Sequence, residues 1–450
     1  MPDWAIDAFI YNLYPLGAVG APARNDLRAP ASQRIEQLYA WISHVQAVGA
    51  DALLLGPVFE STAHGYDTAD FFRVDRRLGT NEEFAQWSKA LHQRGVRLVL
   101  DGVFHHVGRD FWAFRDVLAH GQASPYCHWF HLDFARRSPH GDPFYYEGWN
   151  GHYDLVKLRV SNPAVREHLF AAIRMWVEEF GINGLRLDAA DALDLGFQKE
   201  LAAFCRALRH DFWIMAEVIH GDYRRWINEG GADSVTNYEL HKGLYSSHND
   251  RNLFEVAHSL TRQFGHGGLY EGLLLYNFAD NHDVERIASR LKEAGHLYPL
   301  HILLFTMPGI PSIYYGSEVG LEGRKGAGTD APLRPALAPS DLPHRGAHPD
   351  LLAVIQRLAA LRKQWAALRC GSYRQLHVSP EQFAFIREAG ESRIVVAVNA
   401  GGAPTQVRIS LSGARRLVDV LNPGHTFEVH RGAAVVPLDG YWGRLLVPES

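Results

Sequence analysis

Four short segments place acidic side chains directly after apolar runs, and they follow one another in order along the chain. Each apolar run is too short for an independent helix and is typical of a buried parallel strand. Acids, histidines and an arginine that converge from the ends of separate strands indicate a barrel active site. The segments are Asp101-Gly102-Val103-Phe104-His105-His106, Gly184-Leu185-Arg186-Leu187-Asp188, Met215-Ala216-Glu217-Val218 and Ala279-Asp280-Asn281-His282-Asp283.

The spacing of Arg186 and Asp188 predicts an ion pair within this set. Residues two apart on a strand point to the same face, so the two side chains are expected to lie side by side. The fixed positive charge of Arg186 would then keep Asp188 ionised. An isolated aspartate at a strand end is more often a helix cap than a catalyst. The ordered set of segments, rather than any single acid, therefore predicts catalysis.

The elements that must position these segments alternate between apolar strands and amphipathic helices up to about residue 370. The first strand is predicted at Ala5 to Tyr11. Thr80 is predicted to cap a helix whose positive first turn holds Glu82 and Glu83. Eight strand–helix units are the natural count, so the sequence predicts an α/β fold, a (β/α)8 TIM barrel over residues 1–370.

Two regions depart from this alternation. Residues 107–156 are too long for a simple strand-to-helix loop and are rich in tryptophan and tyrosine, which predicts a functional loop subdomain. From residue 371 the helical periodicity gives way to short strands separated by turn residues. Residues 371–450 are therefore expected to form a small antiparallel β-sandwich domain.

Composition excludes several kinds of partner. The chain has 450 residues, a net charge of −5 and 47% hydrophobic residues, which is typical of a globular protein with a large core. It offers no basic surface for nucleic acid and no apolar run of about 18 residues for a membrane. The N-terminus shows no secretory signal, so a cytoplasmic location is expected. A small or neutral ligand fits this composition better, and the oligomeric state stays open.

The four segments resemble, in order and spacing, the signature regions of the α-amylase family, glycoside hydrolase family 13. The resemblance covers nearly the whole chain. Within that family, the segments are most similar to those of the cyclomaltodextrinase and neopullulanase branch and of related small maltooligosaccharide hydrolases. Further matches are His64-Gly65-Tyr66, Pro308-Gly309-Ile310-Pro311, Tyr314-Tyr315-Gly316, and Asp330 four residues before Arg334.

The resemblance implies a role for each candidate residue. Retaining cleavage of a glycosidic bond needs a nucleophilic carboxylate and a second carboxyl about 5–5.5 Å away that acts first as acid and then as base. The family match makes Asp188 the nucleophile, Glu217 the acid/base and Asp283 the stabiliser of the transition state. Glu217 must hold a proton near neutrality, and the charge of Asp188 could help it do so. The residues implied to bind or position substrate are His64, Tyr66, Asp101, His106, Arg186, His282, Asp330 and Arg334.

Three features depart from the family pattern. His105 stands where the family carries an asparagine ligand of a structural calcium, and imidazole is a poor ligand for that cation. No cofactor is needed for the chemistry, and His105 weakens the expectation of calcium. Asp191, three residues beyond Asp188, occupies a position that touches the leaving-group side. The barrel begins near residue 5, without the N-terminal β-domain through which many cyclomaltodextrinases and neopullulanases dimerise, so the resemblance does not extend to their particular dimer.

The resulting hypothesis is a retaining hydrolase of α-1,4-linked glucooligosaccharides, with maltooligosaccharides or cyclodextrins as substrates. Transfer of the same covalent glycosyl group to a sugar, as in a transglycosylase or isomerase, is the nearest alternative. A non-catalytic protein that binds glucans or assembles with a partner is a more remote alternative. Such relatives typically lose the acids and carry a membrane anchor, whereas this chain keeps Asp188, Glu217 and Asp283 and shows no anchor.

Overall fold

Eight parallel strands form the central sheet of the computed structural model, which describes residues 1–449. In space they follow the order β6-β5-β4-β3-β2-β1-β8-β7, and a parallel bridge from Thr236 to Tyr276 joins the two outer strands into a barrel. The predicted barrel is therefore confirmed. The strands are β1 (Ile10–Leu13), β2 (Ala52–Leu55), β3 (Arg97–Gly102), β4 (Gly184–Leu187), β5 (Trp213–Ala216), β6 (Ser234–Val235), β7 (Tyr276–Phe278) and β8 (Ile310–Tyr314).

The start of the first strand differs from the sequence prediction. Asp3–Asp7 is a short helix, and β1 begins only at Ile10, so the strand predicted at Ala5 to Tyr11 is wrong at its N-terminal end. The helix is anchored by Trp4, whose ring contacts Trp213 edge-on at 6.0 Å and whose indole N–H donates to the Asp211 carbonyl. Apolar burial against the barrel outweighs the strand-like pattern of this segment.

Helices connect successive strands and cover the barrel. Thr80 caps its helix as predicted, in a reciprocal capping box with Glu83. The helix Tyr238–Asn249, after β6, is absent from the sequence prediction. The α-helices of four or more residues are Asp3–Asp7, Pro15–Ala18, Leu38–Val48, Asn81–Gln93, Trp112–His120, Pro163–Glu179, Leu195–Leu208, Arg224–Asn228, Tyr238–Asn249, Phe254–Phe264, Ile287–Arg290, Leu297–Thr306, Leu342–Arg345, Leu351–Gln364 and Ala366–Cys370.

The long segment after β3 contains short antiparallel strands. His106–Gly108, His152–Lys157 and Gly148–Trp149 form a small sheet, and Leu132–Asp133 pairs with Tyr145–Tyr146. A second small hairpin, Phe59–Ser61 with Thr68–Val74, follows β2. Both insertions leave the carboxyl ends of their barrel strands, where the sequence predicts the active site. They therefore form walls around that end of the barrel.

The C-terminal part is antiparallel. Its strands are Ser372–Val378, Gln382–Ala389, Ser392–Asn399, Thr405–Ser410, Arg416–Asp419, Thr426–Glu428, Ala433–Leu438 and Trp442–Glu449, in one six-stranded and one two-stranded sheet. Buried Arg387 ties it to the barrel by donating to the carbonyl of Thr306, the last residue of the helix Leu297–Thr306. Within residues 1–449 we find no helix long and apolar enough to cross a membrane.

Candidate active site

Arg186 lies at the centre of a buried carboxylate cluster formed by three adjacent strands. In the parallel register of β3 and β4 it stands directly beside Asp101. Its Nη1 atom is 2.6 Å from Asp101 Oδ1 and 3.1 Å from Asp188 Oδ1, and its Nη2 atom is 2.5 Å from Glu217 Oε1. One guanidinium therefore contacts the predicted nucleophile Asp188, the predicted acid/base Glu217, and Asp101, which is predicted to bind or position substrate.

Burial determines the charge state of this cluster. Desolvation raises the pKa of Asp188 well above its usual range; Arg186 opposes this shift, while the negative charges of Glu217 and Asp101 reinforce it. Arg186 thus favours the ionised form of Asp188, as the spacing of the two residues predicted, but it does not outweigh burial. Retaining cleavage needs one carboxylate and one carboxylic acid in the pair of Asp188 and Glu217.

Glu217 receives further hydrogen bonds that the sequence analysis did not predict. The backbone N–H of Ala189 donates to Glu217 Oε2 at 3.1 Å, and the Tyr238 hydroxyl donates to Oε1 at 3.3 Å. Ala189 has a φ of 46°, a left-handed conformation that alanine rarely adopts. The chain directly after Asp188 is thus bent sharply where its N–H reaches Glu217.

Asp283 lies at the end of β7 among cationic and polar groups. Its Oδ2 atom is 2.8 Å from His282 Nε2, and its Oδ1 atom is 2.9 Å from Arg334 Nη2. Desolvation would raise the pKa of Asp283, but His282, Arg334 and Arg186 together hold it well below its usual range. Asp283 is therefore ionised across the working pH of most enzymes. Asp330 joins the group through Arg334 Nη2 at 3.4 Å.

Tyr66 connects the two parts of the site. Its hydroxyl donates to Asp101 Oδ2 at 2.8 Å and is also hydrogen-bonded to His282 Nε2. Burial, followed by the charge of Asp101, raises its pKa well above the usual value, so the phenol stays protonated. The His64 ring lies 6.1 Å from that of Tyr66. Tyr14, which the sequence analysis did not identify, fixes this loop because its hydroxyl donates to the His64 carbonyl at 2.6 Å.

His106 presents an unpaired nitrogen to the site. Its Nε2 atom is 3.9 Å from Asp188 Oδ2 and is buried without a hydrogen-bond partner. Burial, followed by the neighbouring His105, lowers the pKa of His106 to about 3, so the imidazole is neutral. A buried polar atom without a partner is rare and calls for one, such as a ligand hydroxyl.

The position of the family's calcium ligand holds a different arrangement here. His105 Nδ1 is 3.2 Å from His106 Nδ1, and burial lowers the pKa of His105 to about 4. Calcium prefers six to eight oxygen ligands, and a neutral imidazole offers none. Among residues 1–449 no group of three or more histidine, cysteine or acidic side chains is arranged to hold a metal. His105 therefore does not supply the oxygen ligand that calcium prefers.

All eleven predicted site residues lie in one continuous network of contacts at the carboxyl ends of the strands. A cavity of about 620 Å³ opens beside His64 and is walled by the hairpin after β2 and the segment after β3, including Asp67, Arg109 and Arg115. Asp191 is exposed. Another cavity of about 640 Å³ lies outside the barrel between the helices Pro163–Glu179 and Leu195–Leu208 and contains none of the predicted residues.

Comparison with known proteins agrees with this geometry. Residues 38–341 match the family model of the α-amylase catalytic domain. A cyclomaltodextrinase from Bacillus sp is 30% identical over 92% of this chain and 76% of its own length, and an intracellular maltogenic amylase from Bacillus subtilis is 27% identical over 82% of this chain and 62% of its own. The structure of the cyclic α-maltosyl-(1→6)-maltose hydrolase from Arthrobacter globiformis superimposes with a TM-score of 0.83 at 28% identity, over 99% of this chain and 100% of that one.

Proposed function

The chain belongs to the α-amylase family of glycoside hydrolases, and from that premise we propose that it cleaves α-1,4-glucosidic bonds of maltooligosaccharides and cyclodextrins by double displacement. The observation that carries the proposal is the contact of one buried guanidinium with Asp188 and Glu217, beside ionised Asp283. The names of the relatives support the substrate class. The relative named as intracellular also supports a cytoplasmic location.

In the first half of the proposed reaction, a carboxylate oxygen of Asp188 attacks the anomeric carbon. The bond from that carbon to the leaving oxygen breaks, and the proton of Glu217 passes to that oxygen. Arg186 stabilises the negative charge, which moves from Asp188 to Glu217 during this step, because it contacts both groups. Arg186 therefore stabilises the negative charge on Asp188 before this step and on Glu217 after it.

In the second half, water attacks the anomeric carbon, the bond to Asp188 breaks, and the proton of the water passes to Glu217. The sugar ring carries partial positive charge in both transition states, and ionised Asp283 is suited to stabilise it. Neutral His106 has a free Nε2 atom for a sugar hydroxyl. Tyr66, held by Asp101 and His282, would form the floor of the same subsite.

The proposed roles are tested by replacing each carboxyl with its amide. Asp188→Asn and Glu217→Gln should each lower kcat by at least about 10³-fold, since the nucleophile and the proton donor act directly in bond cleavage. Asp280→Asn is the matched control: Asp280 is also a buried acid after β7, but it is bonded to Ser317 and to the N–H of Ile287. Undiminished turnover by Asp188→Asn would refute the assignment.

The substrate and the reaction outcome need a product assay. Maltotetraose, a cyclodextrin and pullulan should be incubated with the enzyme, and transfer products separated from hydrolysis products. We expect mainly hydrolysis, with the α-configuration at the new reducing end as seen by proton NMR, because double displacement retains configuration. Predominant transfer products would instead make the protein a transglycosylase, and a β-anomer would exclude the covalent mechanism.

A further inference from the structure

Tyr238 is the first residue of the helix Tyr238–Asn249, which begins directly after β6. The preceding residue, Asn237, caps this helix by accepting a hydrogen bond from the N–H of Leu240, and its amide donates to Asn277 on β7. The Tyr238 ring packs edge-on against Phe278 with ring centroids 5.0 Å apart. These contacts fix the side chain with its hydroxyl at 3.3 Å from Glu217 Oε1.

The direction of this hydrogen bond is set by Asn281. The amide oxygen of Asn281 accepts from the backbone N–H groups of Asp283 at 2.8 Å and Val284 at 3.1 Å, which assigns its orientation. Its Nδ2 group therefore points to the Tyr238 hydroxyl, at 3.4 Å, and donates to it. Since the phenol oxygen accepts from Asn281, its own proton is free for Glu217.

The phenol keeps that proton in the folded enzyme. Burial raises the pKa of Tyr238 well above its usual value, and the negative charges of Glu217 and Asp283 raise it further. A phenol that keeps its proton can donate to the Glu217 carboxyl oxygen at the observed 3.3 Å. Asn281, which follows β7, therefore donates to Tyr238, and Tyr238 donates to Glu217, which follows β5.

We propose that Tyr238, oriented by Asn281, is a positioning residue that holds Glu217 Oε1 and stabilises its ionised form. The inference rests on the proposed function, in which Glu217 becomes a carboxylate when it has protonated the leaving oxygen. Tyr238 neither gains nor loses a proton in either half-reaction. It stabilises the charge that appears on Glu217 and holds the other oxygen, Oε2, in place at Ala189.

The proposal predicts a defect that depends on the leaving group. A maltooligosaccharide needs a proton on its leaving oxygen, whereas the fluoride ion released from a glycosyl fluoride needs none. Both reactions still require attack by Asp188. Loss of the Tyr238 hydroxyl should therefore slow the first reaction and spare the second.

The experiment compares wild type, Tyr238→Phe and the control Tyr223→Phe with maltotriose and α-maltosyl fluoride. Tyr223 is a buried tyrosine of the same region whose hydroxyl contacts the N–H of Glu239. For Tyr238→Phe we expect kcat/KM to fall about tenfold with maltotriose and less than about twofold with the fluoride, since the nucleophile is intact. The alkaline limb of the maltotriose profile should move up by about half a pH unit or more. Tyr223→Phe should match wild type in both respects.

A second variant keeps the test valid if Tyr238→Phe folds poorly. Asn281→Asp retains an oxygen for the N–H groups of Asp283 and Val284 but removes the amide donor, so the phenol proton turns away from Glu217. It should show the same selective loss with maltotriose. Equal losses on both substrates, or none, would overturn the proposal while leaving the hydrolase assignment intact. If wild type cleaves neither of these substrates nor any substrate of the product assay, the proposed function fails, and this inference fails with it.

Discussion

Replacing Arg186 with methionine tests whether one cation holds the active-site carboxylates in their charged arrangement. The guanidinium contacts Asp101, Asp188 and Glu217 at 2.6, 3.1 and 2.5 Å. Arg186 is 3% exposed, so water cannot replace it easily. Removing one partner of a buried ion pair costs about 3–5 kcal/mol of stability, because the other charge stays buried without compensation. We therefore expect Arg186→Met to lower the free energy of unfolding by about 3–5 kcal/mol at pH 8.

The loss should depend on pH, and its sign follows from Asp188. In wild type Arg186 lowers the pKa of Asp188 against the raising effect of burial, so methionine raises that pKa further. An acid whose pKa is higher in the folded than in the unfolded state destabilises the fold as pH rises above its unfolded value of about 4. Each unit of additional shift corresponds to about 1.4 kcal/mol. The unfolded state is common to both proteins, so their difference grows with pH only where Asp188 is ionised in wild type and still protonated in the variant. The penalty should therefore be at least as large at pH 8 as at pH 5.

Urea unfolding of wild type, Arg186→Met and Arg362→Met at pH 5, 6.5 and 8 measures this difference. Arg362 is the matched control because it is equally buried but donates to the carbonyls of Phe305, Leu368 and Gly309. Burial lowers its pKa to about 10, outside the tested range, so its penalty should stay constant with pH. A penalty for Arg186→Met that is below about 1 kcal/mol, or that is larger at pH 5 than at pH 8, would refute the reasoning.

Two further predictions concern stability. Burial lowers the pKa of both His248 and His301 to about 4, against about 6.5 in an unfolded chain. The stability present above pH 6.5 should therefore be lost as the pH falls toward 4. His248→Leu should make the thermal midpoint depend less on pH in this range. An unchanged slope in that variant would contradict the reasoning. Thr80→Ala removes one half of the capping box with Glu83 and should lower the free energy of unfolding by about 1 kcal/mol, whereas Thr80→Ser should retain most of it in the same urea titration.

Local sequence patterns predicted much of the fold because the forces that set them act over a few residues. The cap of Thr80 acts on N–H groups within one helical turn, so local residue types were enough to predict it. The first strand was wrong at Ala5 for the opposite reason. The helix Asp3–Asp7 depends on the contact of Trp4 with Trp213, a residue far away in the chain.

The sequence by itself determined which acids belong together, because the barrel brings the ends of successive strands to one face and the four segments follow those strands. Only the tertiary structure decided how their charges are arranged. The contacts of Arg186 with Glu217, of Ala189 with Glu217 and of Asn281 with Tyr238 join residues from different strands, loops and helices. Hydrogen bonds of this kind depend on distances of a few tenths of an ångström and on donor direction, and burial then multiplies their electrostatic effect. Neither quantity is encoded in the spacing of residues along the chain.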